Sequence, residues 1–145
     1  MSTLVVAVDL SNVTPALLDV ARKMARKAED AIYLLHVEAP APDFVGYDPG
    51  PQHVRDNVAR AIQGHHEMCQ ELRDGLQAEG FDAHSLIIQG VTHEKILEEA
   101  ERLDPAFIIM GRHGHGALYH LVMGSVSEAV IRHARHPVVI VPGPL

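Results

Sequence analysis

The chain predicts an α/β fold, a mostly parallel sheet with helices on both faces, and three observations carry that expectation. Five short apolar runs alternate with helix-periodic stretches in the order β-α-β-α-β-α-β-α-β, and helical crossovers are what join parallel strands. The first of these runs, Thr3 to Val8, is apolar and β-branched along its length with no polar alternation, the pattern of a strand covered on both sides. Asp9, Gly90 and Gly111 directly follow three of the runs, and in open α/β sheets the carboxyl edge of the strands is where ligand loops lie.

Asp9, with Ser11 and Asn12 just beyond it, ends the first strand at that edge. A carboxylate there can accept from a ribose hydroxyl or hold a metal-bound water, and it can equally cap a turn. Thr14-Pro15 reads as an N-cap followed by proline at the first helical position. Leu17, Val20, Ala21, Met24 and Ala28 then recur on one stripe, leaving Arg22, Lys23, Arg26 and Lys27 on a solvated face. Ala31 to Val37 is the second strand, and His36 on it reads as a hydrogen-bonded core histidine. Residues 38–52, with four prolines and two glycines, form a loop long enough to act as a lid.

A long helix follows from His53 to Glu79, with a seam of Val54, Val58, Ala61, Ile62, Cys69, Leu72 and Leu76, and Gly80 takes the left-handed capping position. His65 and His66 lie about 100° apart on it, so as a pair they cannot chelate one metal, and both are assigned to surface or edge positions. Ala83 to Gln89 is the third strand. Thr92 caps a short helix bearing Ile96, Leu97, Ala100 and Leu103, and Pro105 opens the fourth strand, Phe107 to Met110. Val126, Ala129, Val130 and His133 mark the last helix, and Val138 to Val141 the fifth strand.

Composition narrows the function. A chain of 145 residues with 47% hydrophobic and 21% charged side chains fits one globular domain, 1–145. No apolar run approaches the roughly 18 residues of a membrane span, so membrane insertion is not expected. The amino terminus enters a strand without a basic leader, and Cys69 is the single cysteine; a cytoplasmic location is expected. A net charge of −7 disfavours nucleic acid as a partner.

The densest motif is Gly111-Arg-His-Gly114-His-Gly116, continued to Gly124-Ser125-Val-Ser127. Closely spaced glycines let backbone N–H groups approach an anion, and a helix start after them adds free donors and a partial positive charge. Ser125 and Glu128 have capping-box spacing. A Walker loop is excluded, because Ala117 and Leu118 follow Gly116 where lysine and serine or threonine are required. G-x-G-x-x-G is excluded as well, since Tyr119 stands three residues after Gly116.

Gly111, Gly114, Gly124 and Ser125 fill the pattern G-x2-G-x9-G-(S/T). With the flanks Ile-Ile-Met-Gly, Gly-Ser-Val-Ser-Glu and His-Pro-Val-Val-Ile-Val-Pro, and the opening Val-Val-Ala-Val-Asp9, the chain resembles the universal stress protein family, and its nucleotide-binding members in particular. The resemblance implies a Rossmann-like open sheet of five parallel strands in the order 3-2-1-4-5. It implies ATP, with magnesium, as the ligand: ribose near Asp9, adenine near the backbone of Val37, triphosphate on the Gly111, Gly114 and Gly124 amides and the hydroxyls of Ser125 and Ser127, with Met110, His113 and Val126 also among the binding residues. It also implies a homodimer paired through Val138 to Val141. Leu10 departs from the family, which often has glycine there.

Phosphoryl transfer needs a base for water, and none is evident; no or very slow hydrolysis, with ATP as a regulatory ligand, is expected. The rival classes are a non-nucleotide dimerisation module and a metal protein built on His113, His115 and His120, where imidazoles two apart on an extended segment could share zinc or copper. A serine hydrolase is disfavoured by the lack of G-x-S-x-G.

Overall fold

The computed structural model describes residues 1–39, 52–112 and 123–143. Nine elements follow in order: β1 (Thr3–Ala7), α1 (Thr14–Met24), β2 (Ala31–Glu38), α2 (Gln52–Ala78), β3 (Asp82–Gln89), α3 (Thr92–Leu103), β4 (Phe107–Gly111), α4 (Ser125–His133) and β5 (Val138–Val141). The five strands form one sheet in the order β3-β2-β1-β4-β5, every pairing parallel. Alternation, parallel sense and strand order all agree with the expectation.

Because successive strand residues point to opposite faces, the sheet sorts its apolar residues into two cores. Leu4, Val6, Val8, Ile32, Leu34 and Ile109 pack with Leu17, Leu18 and Ala21 of α1 and with Cys69 and Leu76 of α2. On the other face Val5, Leu35, Ile108 and Met110 pack with Ile96 and Ala100 of α3 and Val130 of α4. Right-handed crossovers explain the split: moving outward from β1 to β3 puts α1 and α2 on one side, and returning to β4 and β5 puts α3 and α4 on the other. The direction reverses between β1 and β4.

Two expectations about helix starts are corrected. Thr14 does not cap α1; Val13 holds the cap position, Thr14 is the first helical residue, and its hydroxyl is buried without a partner among the described residues. The physical reason lies one turn earlier, where Ser11 accepts Val13 N–H on its hydroxyl at 3.4 Å and Thr14 N–H on its carbonyl at 3.1 Å, leading the chain into the helix a residue sooner. Likewise Val91, not Thr92, is the cap residue of α3.

The seam proposed for α2 holds only toward its end. Cys69 and Leu76 are fully buried and Leu72 packs against them, whereas Val58 is 39% exposed and Ala61 is exposed. Length accounts for this: 27 helical residues span roughly 40 Å, but the strands beneath, of 8 residues at most, span roughly 26 Å, so the first half overhangs the sheet. Gly80 closes the helix with φ 97°, where any other residue would be strained.

At the amino edge of the sheet Asp30, buried, accepts Arg26 N–H at 2.8 Å and Ser2 N–H at 3.0 Å and pairs with the Arg26 guanidinium at 3.1 Å. The Arg26 side chain, with these amides, holds its carboxyl well below the usual carboxylate range. This fastens the turn between α1 and β2 at the end of the molecule opposite the ligand edge.

Candidate functional site

The reversal between β1 and β4 opens a crevice at their carboxyl ends. Asp9 lies on the β1 side. Its Oδ1 accepts Ser11 N–H at 3.0 Å and the Ser11 hydroxyl at 2.6 Å, so this carboxylate does cap the turn. Between them Leu10 takes φ 62°, a left-handed conformation that costs a leucine about 1–2 kcal/mol and a glycine nothing. That is the structural content of the departure at position 10: the turn has the shape glycine favours, and Leu10 is held in it by packing against the α1/α2 core.

On the β4 side the backbone leaves the sheet at Arg112 and returns at Gly124. Arg112 N–H donates to Val141 O at 3.0 Å and its carbonyl accepts Gly124 N–H at 2.8 Å, which closes the mouth of the intervening loop. Arg112 Nε is buried and has no hydrogen-bond partner among the described residues. His113 and Gly114, together with His115, Gly116 and His120, lie outside the described residues, as does most of the 38–52 loop.

The start of α4 differs from the capping box expected. Gly124 occupies the cap position with no side-chain cap, Ser125 is the first helical residue and exposed, and Glu128 pairs with Arg132 at 2.7 Å instead of reaching back. The first intrahelical bond runs from Glu128 N–H to Gly124 O at 2.9 Å. The amides of Ser125, Val126 and Ser127 therefore have no acceptor within the helix. The Gly124 amide, expected to serve a ligand, donates to Arg112 instead. Ser127, 3% exposed, donates its hydroxyl to Gly111 O at 2.7 Å. That bond ties the helix start to the end of β4 and leaves Ser127 its backbone N–H for any anion.

Met110 is buried in the α3/α4 core and Val37 packs at its margin, so only their backbones reach the strand ends. Val37 is in register with Ile88 of β3, and beyond it Glu38 O accepts Gly90 N–H at 2.9 Å. The structure thus brings Asp9, Gly111 and Gly124 to Ser127 to the two sides of one crevice and sets Val37 one strand away.

One cluster was missed. His36 and Glu38 project from β2 on the face that α2 covers, and His65 of α2 meets them. His65, assigned to a surface or edge position, is 39% exposed on its side chain and contacts Glu38. His36 and Glu38 sit two apart on a strand, a same-face signal the sequence does contain; nothing local announces a partner 27 residues further on.

An open parallel sheet whose strand order reverses between two strands, with a carboxylate after one and a helix start tied to the end of the other, defines the Rossmann-like class of α/β folds. A model of the universal stress protein family matches residues 1–142, and the chain belongs to that family. Universal stress protein MJ0577 of Methanocaldococcus jannaschii is 36% identical over 72 residues, half of this chain and 44% of that protein. MJ0531 of the same organism is 27% identical over 97% of this chain and 82% of its own length. Among solved structures, MJ0577 superposes with a TM-score of 0.85 at 24% identity, covering 99% of this chain and 96% of that one. A universal stress protein in complex with cAMP gives 0.70 at 19% identity over 99% and 98% of the two chains. A family member from Arabidopsis thaliana with AMP bound gives 0.60 at 22% over 99% and 93%.

Proposed function

We propose that this protein binds ATP, with magnesium, in the crevice between the ends of β1 and β4, and that the nucleotide acts as a regulatory ligand with no or very slow hydrolysis. The observation that carries the reading is the start of α4. Three first-turn amides are held beside β4 by the bond from Ser127 to Gly111, and such a terminus favours phosphate oxygens through both its free donors and its dipole. Asp9 faces it from β1 and suits a ribose hydroxyl or a hydrated cation. Gly114 and His113 complete the phosphate loop by motif, and the Val37 backbone serves adenine. Two relatives of the same fold carry adenine nucleotides, cAMP and AMP, which supports this ligand class.

Slow turnover follows from Asp9, the carboxylate at the crevice, whose Oδ1 already accepts two hydrogen bonds from Ser11. That oxygen is engaged in capping the turn and is not free to take a proton from water. A bound nucleotide then acts by stabilising one arrangement of the loops around it.

Calorimetric titration of nucleotide-stripped protein with ATP and magnesium tests the site, beside a Gly114→Val variant. Wild type should bind one equivalent, and the variant should lose at least about 100-fold in affinity, roughly 2.7 kcal/mol. Absence of binding to folded wild type overturns the reading. Parallel titrations with ADP and AMP rank the nucleotides.

The β5 strand supports a homodimer. It ends the sheet, and an apolar edge strand with unpaired backbone groups favours pairing with a second copy. Sedimentation at micromolar concentration should report twice the 15.8 kDa chain mass; a single chain's mass sinks the dimer.

A further inference from the structure

Away from the β1/β4 crevice, at the carboxyl end of β2 on the α1/α2 face, three side chains converge. His36 Nδ1 lies 2.8 Å from Val8 O, His36 Nε2 lies 3.1 Å from Glu38 Oε1, and His65 Nδ1 contacts the same carboxylate oxygen. Each residue offers one ligand atom, and the three atoms all lie within 4.8 Å of one another. The rings of His36 and His65 are 5.3 Å apart and inclined at 74°, so they approach the carboxylate from different directions.

The tautomer of His36 is set by its surroundings. A carbonyl only accepts, so Nδ1 facing Val8 O must carry the proton. Nε2 then meets the Glu38 oxygen either with a second proton or with a bare lone pair. Nε2 faces the Glu38 oxygen from a side chain that is 9% exposed. A cation held between the nitrogen and the oxygen would be bound by both, with Val8 O orienting the ring. Metal-bound histidines commonly have this arrangement, one nitrogen on the ion and the other donating to a backbone carbonyl that orients the ring.

We propose that His36, Glu38 and His65 form a divalent transition-metal site of the zinc class, clasping α2 to the end of β2. Zinc binds nitrogen and oxygen at about 2.0–2.2 Å, so tetrahedral ligand atoms stand roughly 3.3 Å apart. The His36–Glu38 separation of 3.1 Å is within reach of that value, and small rotations about side-chain bonds bring His65 into place. Two imidazoles and one carboxylate select zinc or its neighbours over magnesium and calcium, which prefer oxygen throughout. His65 is 39% exposed on its side chain, giving the ion a path in and leaving a fourth position for water. Its ligands lie on β2 and α2 and none belongs to the glycine loop, while Val37, whose backbone the nucleotide reading gives to adenine, stands between two of them.

The test is titration of EDTA-dialysed full-length protein with cobalt(II), followed by the visible absorption of tetrahedral cobalt and by displacement with zinc. Wild type should take one tight equivalent, and zinc should raise its Tm. His65→Ala and Glu38→Gln, each checked for folding by circular dichroism, should weaken cobalt binding by at least about 100-fold and abolish the zinc-dependent rise in Tm. A variant with His113, His115 and His120 replaced by Gln should keep the equivalent. The proposal is overturned if folded wild type takes no tight equivalent, or if the equivalent survives His65→Ala and disappears with the three loop histidines.

Discussion

The carboxyl ends of β1 with β4 and of β2 are neighbours in one sheet, yet they present opposite chemistry. At β1 and β4 the available groups are backbone N–H donors, the first-turn amides of α4, with a single carboxylate across from them. At β2 they are side-chain acceptors, two imidazoles around one carboxylate. On the readings proposed above, the first mouth takes an anion and the second a cation. The contrast shows where each kind of site comes from. An anion site made of backbone needs only a strand end, a glycine loop and a helix start, all within one stretch of chain. A cation site made of side chains needs ligands from separate elements, and here the fold supplies them by laying α2 across β2.

The largest effects should come from breaking one mouth while reading the other. Gly114→Val should remove ATP binding and leave the cobalt equivalent intact, and His65→Ala should do the reverse. A variant that loses both would mean the two ends are one site, and the contrast would fail.

A smaller effect separates position from chemistry at the anion mouth. Ser127→Ala leaves the first-turn amides of α4 but removes the hydroxyl that holds them to Gly111 O, a part-buried bond of 2.7 Å. Stranding that carbonyl should cost about 1–3 kcal/mol, a fall in Tm of roughly 3–10 °C by thermal unfolding. ATP affinity should fall about tenfold by calorimetry, because the amides lose their anchor, and cobalt binding should not change. An unaltered ATP affinity in a destabilised variant would take the phosphates away from this helix start.

The smallest effect concerns Cys69, one turn beyond His65 on the same face of α2. Burial, helped by the charge of Glu38, pushes its thiol up to about 11 from 9.0. The folded chain thus holds this proton more tightly than the unfolded chain does. The stability this contributes is complete below about pH 9 and is lost as pH rises toward 11. The difference in denaturant stability between wild type and Cys69→Ala should therefore shrink over that interval. In metal-free protein at pH 8 the thiol should resist iodoacetamide, and Cys69→Ser should shift cobalt affinity by no more than about threefold. A thiolate-to-cobalt charge-transfer band would instead enlarge the ligand set to four.

What could be read in advance divides along the same line. The five apolar runs and their alternation with amphipathic stretches were legible because each is a local pattern, and they led to the right element order and parallel sense. The positions of Asp9 and Gly111 at strand ends and of Gly124 and Ser125 at a helix start were legible for the same reason. The amino-terminal helix caps were not. Ser, Thr and Glu at capping spacing promise hydrogen bonds that compete with others, and at Thr14 and Ser125 the preceding turn or the strand end decided the outcome. The seam of α2 was overextended because periodicity says which residues share a face but not whether the sheet beneath is long enough to cover them.

By itself, then, the sequence determined the alternation of strands and helices, the glycine loop before a helix start, and membership of a family whose pattern it carries from residue 1 to 142. These are short-range properties: propensity, periodicity and spacing act within a few residues of each other. Only the tertiary structure decided that Ser127 would bind Gly111, that Leu10 would be held at φ 62°, and that His65 would meet His36 and Glu38. Those contacts join residues brought together by packing, and the energy that selects them resides in the two cores on either face of the sheet.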